Sequence, residues 1–298
     1  MFCHGGLLMN SRQQGFTLIE LMISLVLGLI ISAAVMQVYI MSVRTNTIQA
    51  SSSNLQNTSV FGFQSLEHNI RLANLGNDTT SIKSDTGFGG IVLTRNNLPI
   101  EGDFLTRSGG GVTNTNVRSD QLTISYRNIS GRTMSDCEGN DVPDGTLVVE
   151  RYFMSGTVPN LHLHCDSGHF TGNNLGGLAN GTARLGAGDV EFISNVDQFR
   201  ILLGMQTEGN NPQITFLSPQ AYVNLGAGSQ DPIVAVRLGI VSRGGTAILG
   251  EEGATQFQIF GETNTLIGNA ANNAQVRGVY ESNVLLRNAR VVHTTGRD

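Results

Sequence analysis

The sequence predicts an α+β protein: one long N-terminal helix, its first half in a membrane, its second half packed on a mostly antiparallel, β-rich globular domain. Three observations predict it. After Glu20 the run from Leu21 to Val43 carries no formal charge. At about 1.5 Å per residue that run is roughly 35 Å long, enough to cross a bilayer core. Farther on, Phe63, Leu66, Ile70 and Ala73 recur at spacings of 3, 4 and 3, the period of a helix buried along one face. The remainder holds short alternating runs between turn-forming residues, in a chain with 37 Gly, no Trp and abundant Asn, Ser and Thr.

The helix is expected from about Phe16 to Leu75, with 16–43 in the membrane and Gly76-Asn77-Asp78 as its stop. Glu20, Ser24, Gly28 and Ser32 recur every fourth residue and form a narrow face of small or polar groups, which lets helices approach closely in lipid. The competing reading is incidental small residues in a plain anchor. A lone acid at the mouth of such a segment is costly in lipid and calls for a partner.

That acid belongs to the stretch Gln14-Gly15-Phe16-Thr17-Leu18-Ile19-Glu20. A secretory signal peptide carries its small-residue cleavage site after the apolar region; here the Gly precedes it. The stretch resembles the processing site of type IV prepilins. The resemblance implies cleavage between Gly15 and Phe16 by a prepilin peptidase, which then N-methylates Phe16. It also implies that Glu20 faces the new amine of a neighbouring subunit. An ammonium and a carboxylate attract far more strongly in a low-dielectric medium than in water, and each is expensive to bury alone. Residues 1–15 are then a leader, with Met9 a second candidate start. The leader carries Arg12 and no acid, so its removal takes the formal charge from −5 to −6.

Residues 76–298 are expected to form the extracytoplasmic domain, with a subdomain split near 171–188 left open. Strands are expected at Gly90–Arg95, around Leu122, Ile124 and Tyr126 (half-buried), at Thr146–Met154, Leu161–Cys165, Phe199–Met205, Ile233–Val241 and Phe257–Phe260, and across Gly278–Val292. The run Ser108-Gly109-Gly110-Gly111 reads as loop, and Val190 onward as a short helix or turn before the strand at Phe199. The segment Leu66–Gly76, with Arg71, Ala73 and Gly76, resembles a helix end of PilW-type minor pilins. The order of strands after Val190, closing on Leu286-Arg287-Asn288, resembles the C-terminal half of the same family.

Cys3 lies in the leader, which leaves Cys137 and Cys165 as an even pair. In a compartment that permits disulfides such a pair is expected to bridge. Closing the mid-sized loop between them is worth on the order of 3–4 kcal/mol in the chain-entropy model. The alternative is two separate buried thiols. Major pilins often place their disulfide near the C-terminus, bounding a receptor-facing loop. Here the chain runs on far beyond Cys165, to Asp298, so that adhesive role does not transfer.

Two clusters invite a metal reading. His162, His164, Cys165 and His169 hold two same-face strand histidines, against a reading as surface histidines with Cys165 oxidised. Asp136, Glu138, Asp141 and Asp144 resemble an oxygen-rich calcium loop, but their spacing is not that of an EF-hand, and a solvated acidic turn is the plainer reading. No metal or other cofactor is assigned on these grounds. Gly-x-Ser-x-Gly, phosphate-loop and zinc-protease motifs are absent, so no enzyme is expected. Charged residues make up only 14% of the chain and show no basic cluster, so no nucleic-acid contact is expected.

The expectation is therefore a minor type IV pilin of PilW type, single-pass in the inner membrane with its domain in the periplasm. It would act in a pilus-tip complex that primes assembly and supports twitching motility or adhesion. Its partners would be the prepilin peptidase/N-methyltransferase, other minor pilins and the major pilin. Two alternatives stay open: a minor pseudopilin of a type II secretion system, and a signal-anchored periplasmic binding protein or enzyme.

Overall fold

The structure is a computed structural model that describes residues 15–100, 102–170, 185–207, 212–248, 253–272 and 274–289. Residues 1–14 of the 1–15 leader, most of the 171–188 linker and the closing Val291-Val292 fall outside these residues. The chain divides into two compact units, Met1–Thr47 and Ile48–Asp298.

Helix α1 spans Leu18–Ile70, 53 residues. It is the one described helix long and apolar enough to cross a membrane. In the first unit its apolar side chains, from Leu18 to Val43, are almost all exposed. In the second unit α1 buries Ser51, Leu55, Ser59, Phe63, Leu66 and Ile70, a stripe repeating every three or four residues.

The helix stops at Ile70, not Leu75. Residues 71–76 tighten into turns closed by Leu72 N–H to Asn69 O, Ala73 N–H to Ile70 O and Leu75 N–H to Leu72 O, 2.9–3.0 Å. The cause is Asn74, whose φ of 66° is left-handed and whose N–H leaves the helix for Ser125 O at 2.9 Å. Its side chain donates to Thr79 O and Asn288 O and accepts from Gly90 N–H, 2.8–3.1 Å. The Asn288 amide in return points at the helix-end carbonyls of Arg71, Leu72 and Ala73, 3.1–3.4 Å away. Gly76 follows with φ of 68°, where a Cβ would stand 2.9 Å from Arg127 and Ile129 side chains.

Among the described residues five strands form one antiparallel sheet: β1 (Arg107–Gly111), β2 (Ser119–Arg127), β5 (Leu147–Thr157), β6 (Asn160–Phe170) and β7 (Val190–Ile193), in that order. A second sheet runs β13 (Gln275–Leu285), β10 (Ile233–Ala247), β8 (Val196–Gln206), β9 (Ile214–Leu217), also antiparallel. Small ribbons β3–β4 (Met134–Ser135, Asp141–Val142) and β11–β12 (Gln256–Ile259, Glu262–Thr265) and the short helix α2 (Pro219–Asn224) complete the set. One core joins α1 to both sheets through Phe63, Leu66, Ile70, Tyr126, Tyr152, Phe199, Leu238 and Ile240. A second, smaller core of Val92, Leu98, Ile100, Leu147, Val149 and Phe170 lies on the other face of β2 and β5.

That second core corrects the half-buried reading of β2, which is covered on both faces. Thr123 and Ser125 point into the segment 88–106 and are satisfied there: Ser125 Oγ donates to Gly89 O at 2.8 Å, and Thr123 Oγ donates to Phe104 O. The expected strand at Gly90–Arg95 is reduced to a single bridge, Ile91 to Ile124. Asn97 substitutes for sheet pairing there, its side chain accepting from Leu93 and Thr94 N–H and donating to Lys83 O and Thr86 O. Three further expectations are corrected. Ser108–Gly111 is the edge strand β1, not loop. The strand expected to end at Met154 runs on through Ser155-Gly156 to Thr157, and the hairpin turns at Val158-Pro159. Val190 opens strand β7, not a helix, because Asn195, with φ of 56°, reverses the chain between β7 and β8.

Candidate assembly site

The processing residues lie where a protease could reach them. Gly15 and Phe16 are outside the helix, Phe16 is 83% exposed, and no atom stands within 4 Å of a Cβ built at Gly15. The helix begins two residues later under a cap that sequence reading missed. Thr17 Oγ accepts from Glu20 N–H at 3.3 Å, and Thr17 O from Leu21 N–H at 3.2 Å. Thr17-x-x-Glu20 is a capping-box pattern, and an acid in the first turn is favoured by the helix dipole. The cap uses the backbone N–H of Glu20, while its carboxylate lies in the first turn of the helix. On the same face Ser24 Oγ donates to Glu20 O at 2.7 Å, so its hydroxyl needs no outside partner. Gly28 presents open space and Ser32 is exposed, leaving the face of small groups free.

Between Glu20 and Glu67 the only formal charge is Arg44. In the second unit the exposed residues of α1 are Ile48, Gln49, Ala50, Ser53, Asn54, Gln56, Asn57, Val60, Phe61, Gln64, Ser65 and His68, with Phe61 66% exposed. A solvent-facing helix side of this length without Asp, Glu, Lys or Arg, carrying a bare Phe, has the composition of a contact surface.

The other sequence candidates sit in the β domain. Cys137 and Cys165 form a disulfide with Cα atoms 6.3 Å apart, tying the β3–β4 loop to β6. The acidic turn is only partly solvated. Asp136 is buried and accepts from Glu138 and Asn140 N–H, the Ser167 hydroxyl and His169 Nε2, the last at 2.7 Å. Glu138 accepts from Ser167 N–H at 2.8 Å and Asp144 from Gly131 N–H at 2.9 Å, while Asp141 is exposed in β4. Asp136, Glu138 and Asp144 each hold backbone N–H groups, and among the described residues the four acids do not gather at one point. His169 serves Asp136, and Cys165 is bridged, so neither joins His162 and His164.

Beside the disulfide lies Glu150, fully buried, which sequence reading also missed. It accepts from the hydroxyls of Tyr126 (2.9 Å) and Tyr152 (2.6 Å) and from Cys137 N–H (3.0 Å), while Asn69 of α1 donates to the Tyr152 hydroxyl at 2.9 Å. Burial pushes the Glu150 carboxyl up to about 7 despite these three donors. Burial pushes Asp136 the same way, but the donors from His169, Ser167 and Asn140 outweigh it and hold that carboxyl well below its usual range.

The two act on stability in opposite windows. The folded state holds a proton on Glu150 up to about 7, whereas the unfolded chain releases it near 4.5, so stability falls as pH rises through that window. Asp136 contributes stability above the ordinary carboxylate range, lost as pH falls below it. Unfolding of the detergent-solubilised chain should therefore show greatest stability near pH 4–5 and a decline on the order of 3 kcal/mol towards pH 7.5. Glu150→Gln should flatten the decline; an unchanged slope in that variant would show that Glu150 is not its source.

Against known families, residues 10–36 match the prokaryotic N-terminal methylation motif, and residues 174–288 match the type IV pilus-assembly protein W family. The first spans the Gly15–Phe16 junction, Glu20 and Ser32; the second runs from before β7 to Asn288, the residue that closes on the end of α1. The two matches together support a type IV pilin-like protein of the PilW type. No curated protein and no solved structure matches the chain. They support a type IV pilus-related minor pilin, and the apolar helix is consistent with membrane anchoring. Neither match covers the segment Leu66–Gly76, where Arg71 pairs with Glu67 at 2.8 Å, Ala73 is buried, and Gly76 takes the left-handed turn.

Proposed function

We propose that this minor pilin is cut between Gly15 and Phe16, N-methylated on Phe16, and incorporated into a pilus-tip complex that primes pilus assembly. The supporting observation is the junction itself: an exposed, non-helical Gly-Phe bond followed at once by a capped helix whose only acid before Glu67 is Glu20. In this reading the leader is residues 1–15, Leu21–Val43 lies in the inner membrane, and the β domain faces the periplasm. Glu20 receives the amine of a neighbouring subunit. The uncharged outer side of α1, with Phe61, meets the helix of that neighbour. The bulk of the unit Ile48–Asp298 favours a few copies at a tip over a repeating shaft. The role is assembly, and we assign no catalysis and no nucleic-acid contact.

N-terminal mass spectrometry of the membrane-purified protein should find methylated Phe16 as the first residue, and deletion should abolish surface pili and twitching. A mature protein that retains residues 1–15 would overturn the reading. Intact pili with lost exoprotein secretion would transfer the chain to a type II secretion system.

A further inference from the structure

We propose that one end of the β domain, formed by three loop tips bearing Val112, Val158 and Ile267, rests on the lipid surface of the membrane that holds α1. The inference depends on the proposed placement of Leu21–Val43 in that membrane, and it concerns the chain before its incorporation into a pilus.

The tips come from distant parts of the chain and meet at Asn114. Its side chain donates to Pro159 O at 2.8 Å, and its own carbonyl accepts from Ile267 N–H at 2.9 Å. Val112 lies just before it in the same loop. The three aliphatic side chains are 38%, 47% and 46% exposed. Among the described residues they are three of the eight large apolar side chains exposed beyond α1. Such side chains scattered singly need no explanation, but these three stand on loops joined at one residue.

The loops are fixed from beneath. Asn114 also donates to the buried carboxylate of Asp197 at 2.6 Å. Arg243 Nη1 reaches the same carboxylate and Pro159 O. Arg277 binds Asp197 through Nε and Ala270 O through Nη2, which holds the turn that follows Ile267. The tips are therefore in place before any surface meets them, and contact costs little ordering.

The chain that leads to this end says what covers it. Ser51 of α1 is buried against Gly244, the neighbour of Arg243 on β10. Ser51 follows Val43, the last residue of the uncharged run, by eight positions. That is about 12 Å at helical rise and at most about 28 Å fully extended. The interfacial layer outside the hydrocarbon is itself roughly 5–8 Å deep on each side. A surface on so short a tether meets lipid at high effective concentration.

Its chemistry suits an interface. Residues 112–118, 156–160, 244–248 and 266–272 contain no acid, and their one base, Arg118, is exposed. Asn116, Thr157, Asn160 and Asn269 are exposed between the tips. These are uncharged hydrogen-bonding groups that match lipid headgroups, while the aliphatic tips enter the acyl boundary.

The chain contains no Trp, so a single Trp placed at an exposed position reports its own surroundings. Val158→Trp and Ile267→Trp are compared with Ile129→Trp as full chains in phosphatidylcholine vesicles, with and without brominated acyl chains. The loop of Val112 precedes β2, whereas Ile129 follows it, is 57% exposed, and lies beside Gly76 past the end of α1. Trp itself favours interfaces, and the Ile129→Trp chain carries that bias equally. Emission from Val158→Trp and Ile267→Trp should lie about 10 nm to the blue of Ile129→Trp, with roughly threefold more quenching by bromolipid. Emission and quenching equal to those of Ile129→Trp overturn the proposal. A blue shift without bromolipid quenching overturns it too, because protein then covers the tips. Val35→Trp reports the membrane segment. Quenching there with unquenched tips removes this proposal alone, and no quenching there removes the membrane placement together with it.

Discussion

Glu20→Ala should leave the protein in the membrane and cut at Gly15–Phe16, yet reduce surface pili at least tenfold. The helix stays apolar over Leu21–Val43, so insertion has no reason to fail. On the proposed reading, what is lost is the partner for an incoming ammonium. In a low-dielectric setting a single contact needs to supply only about 1.4 kcal/mol to change an assembly equilibrium tenfold. The cap at Thr17 sets the control. The Thr17 cap uses the backbone N–H of residue 20 and a capping-box pattern takes Glu or Gln, so Glu20→Gln keeps the cap and removes only the charge. If Gln assembles pili as poorly as Ala, the charge is what matters. Wild-type piliation in the Gln variant would reduce Glu20 to a helix-capping residue and remove the pairing mechanism. Immunoblots of membrane and sheared surface fractions, with N-terminal mass spectra, read all three states.

Asp197→Ala should destabilise the β domain by about 3–5 kcal/mol, a fall in Tm of about 10 °C for a unit of this size. Asp197 on β8 is fully buried. One oxygen accepts from Arg243 Nη1 (2.7 Å) and Asn114 Nδ2 (2.6 Å), and the other from Arg277 Nε (2.7 Å). Both arginines are almost wholly inaccessible, at 3% and 2%. Their cross-strand register, Arg243 against Arg277, places both cations on one carboxylate. Arg277 also reaches Ala270 O at 3.1 Å, and Arg243 reaches Pro159 O. One carboxylate thus fastens β8, β10, β13, the loop after β1 and the tip of the β5–β6 hairpin. Removing it leaves two buried cations short of an anion, the costly kind of break. Thermal unfolding followed by circular dichroism checks it; a Tm within about 2 °C of wild type would mean that water reaches the cluster.

Much of this was legible from sequence because local patterns carried it. The uncharged run Leu21–Val43 has one physical reading, and Gly before rather than after it another. Hairpin β5–β6, strand β10 and the disulfide followed from alternation and cysteine count. What was missed depends on distant neighbours. Ser108–Gly111 has loop composition and becomes a strand only because Ser119–Gln121 lies beside it. Val190, Phe192, Ile193 and Val196 have mixed spacing, and a single left-handed Asn195 decides for two strands. Glu150 looks like any acid in a strand until three donors from separate segments close on it. His162 and His164 were visible as a pair, but Asp189 and Glu191 come after the 171–188 stretch has intervened, and they meet the histidines only through the β6–β7 register.

The amide of Asn288 closes on carbonyls of Arg71, Leu72 and Ala73 across more than 200 positions of chain. The turn that ends α1 therefore stays unfinished until the chain has been made as far as Asn288. A copy whose synthesis stops short of that residue would leave the three carbonyls without this amide. Completion of the β domain is in this way coupled to the ending of α1, and early truncation would loosen both together.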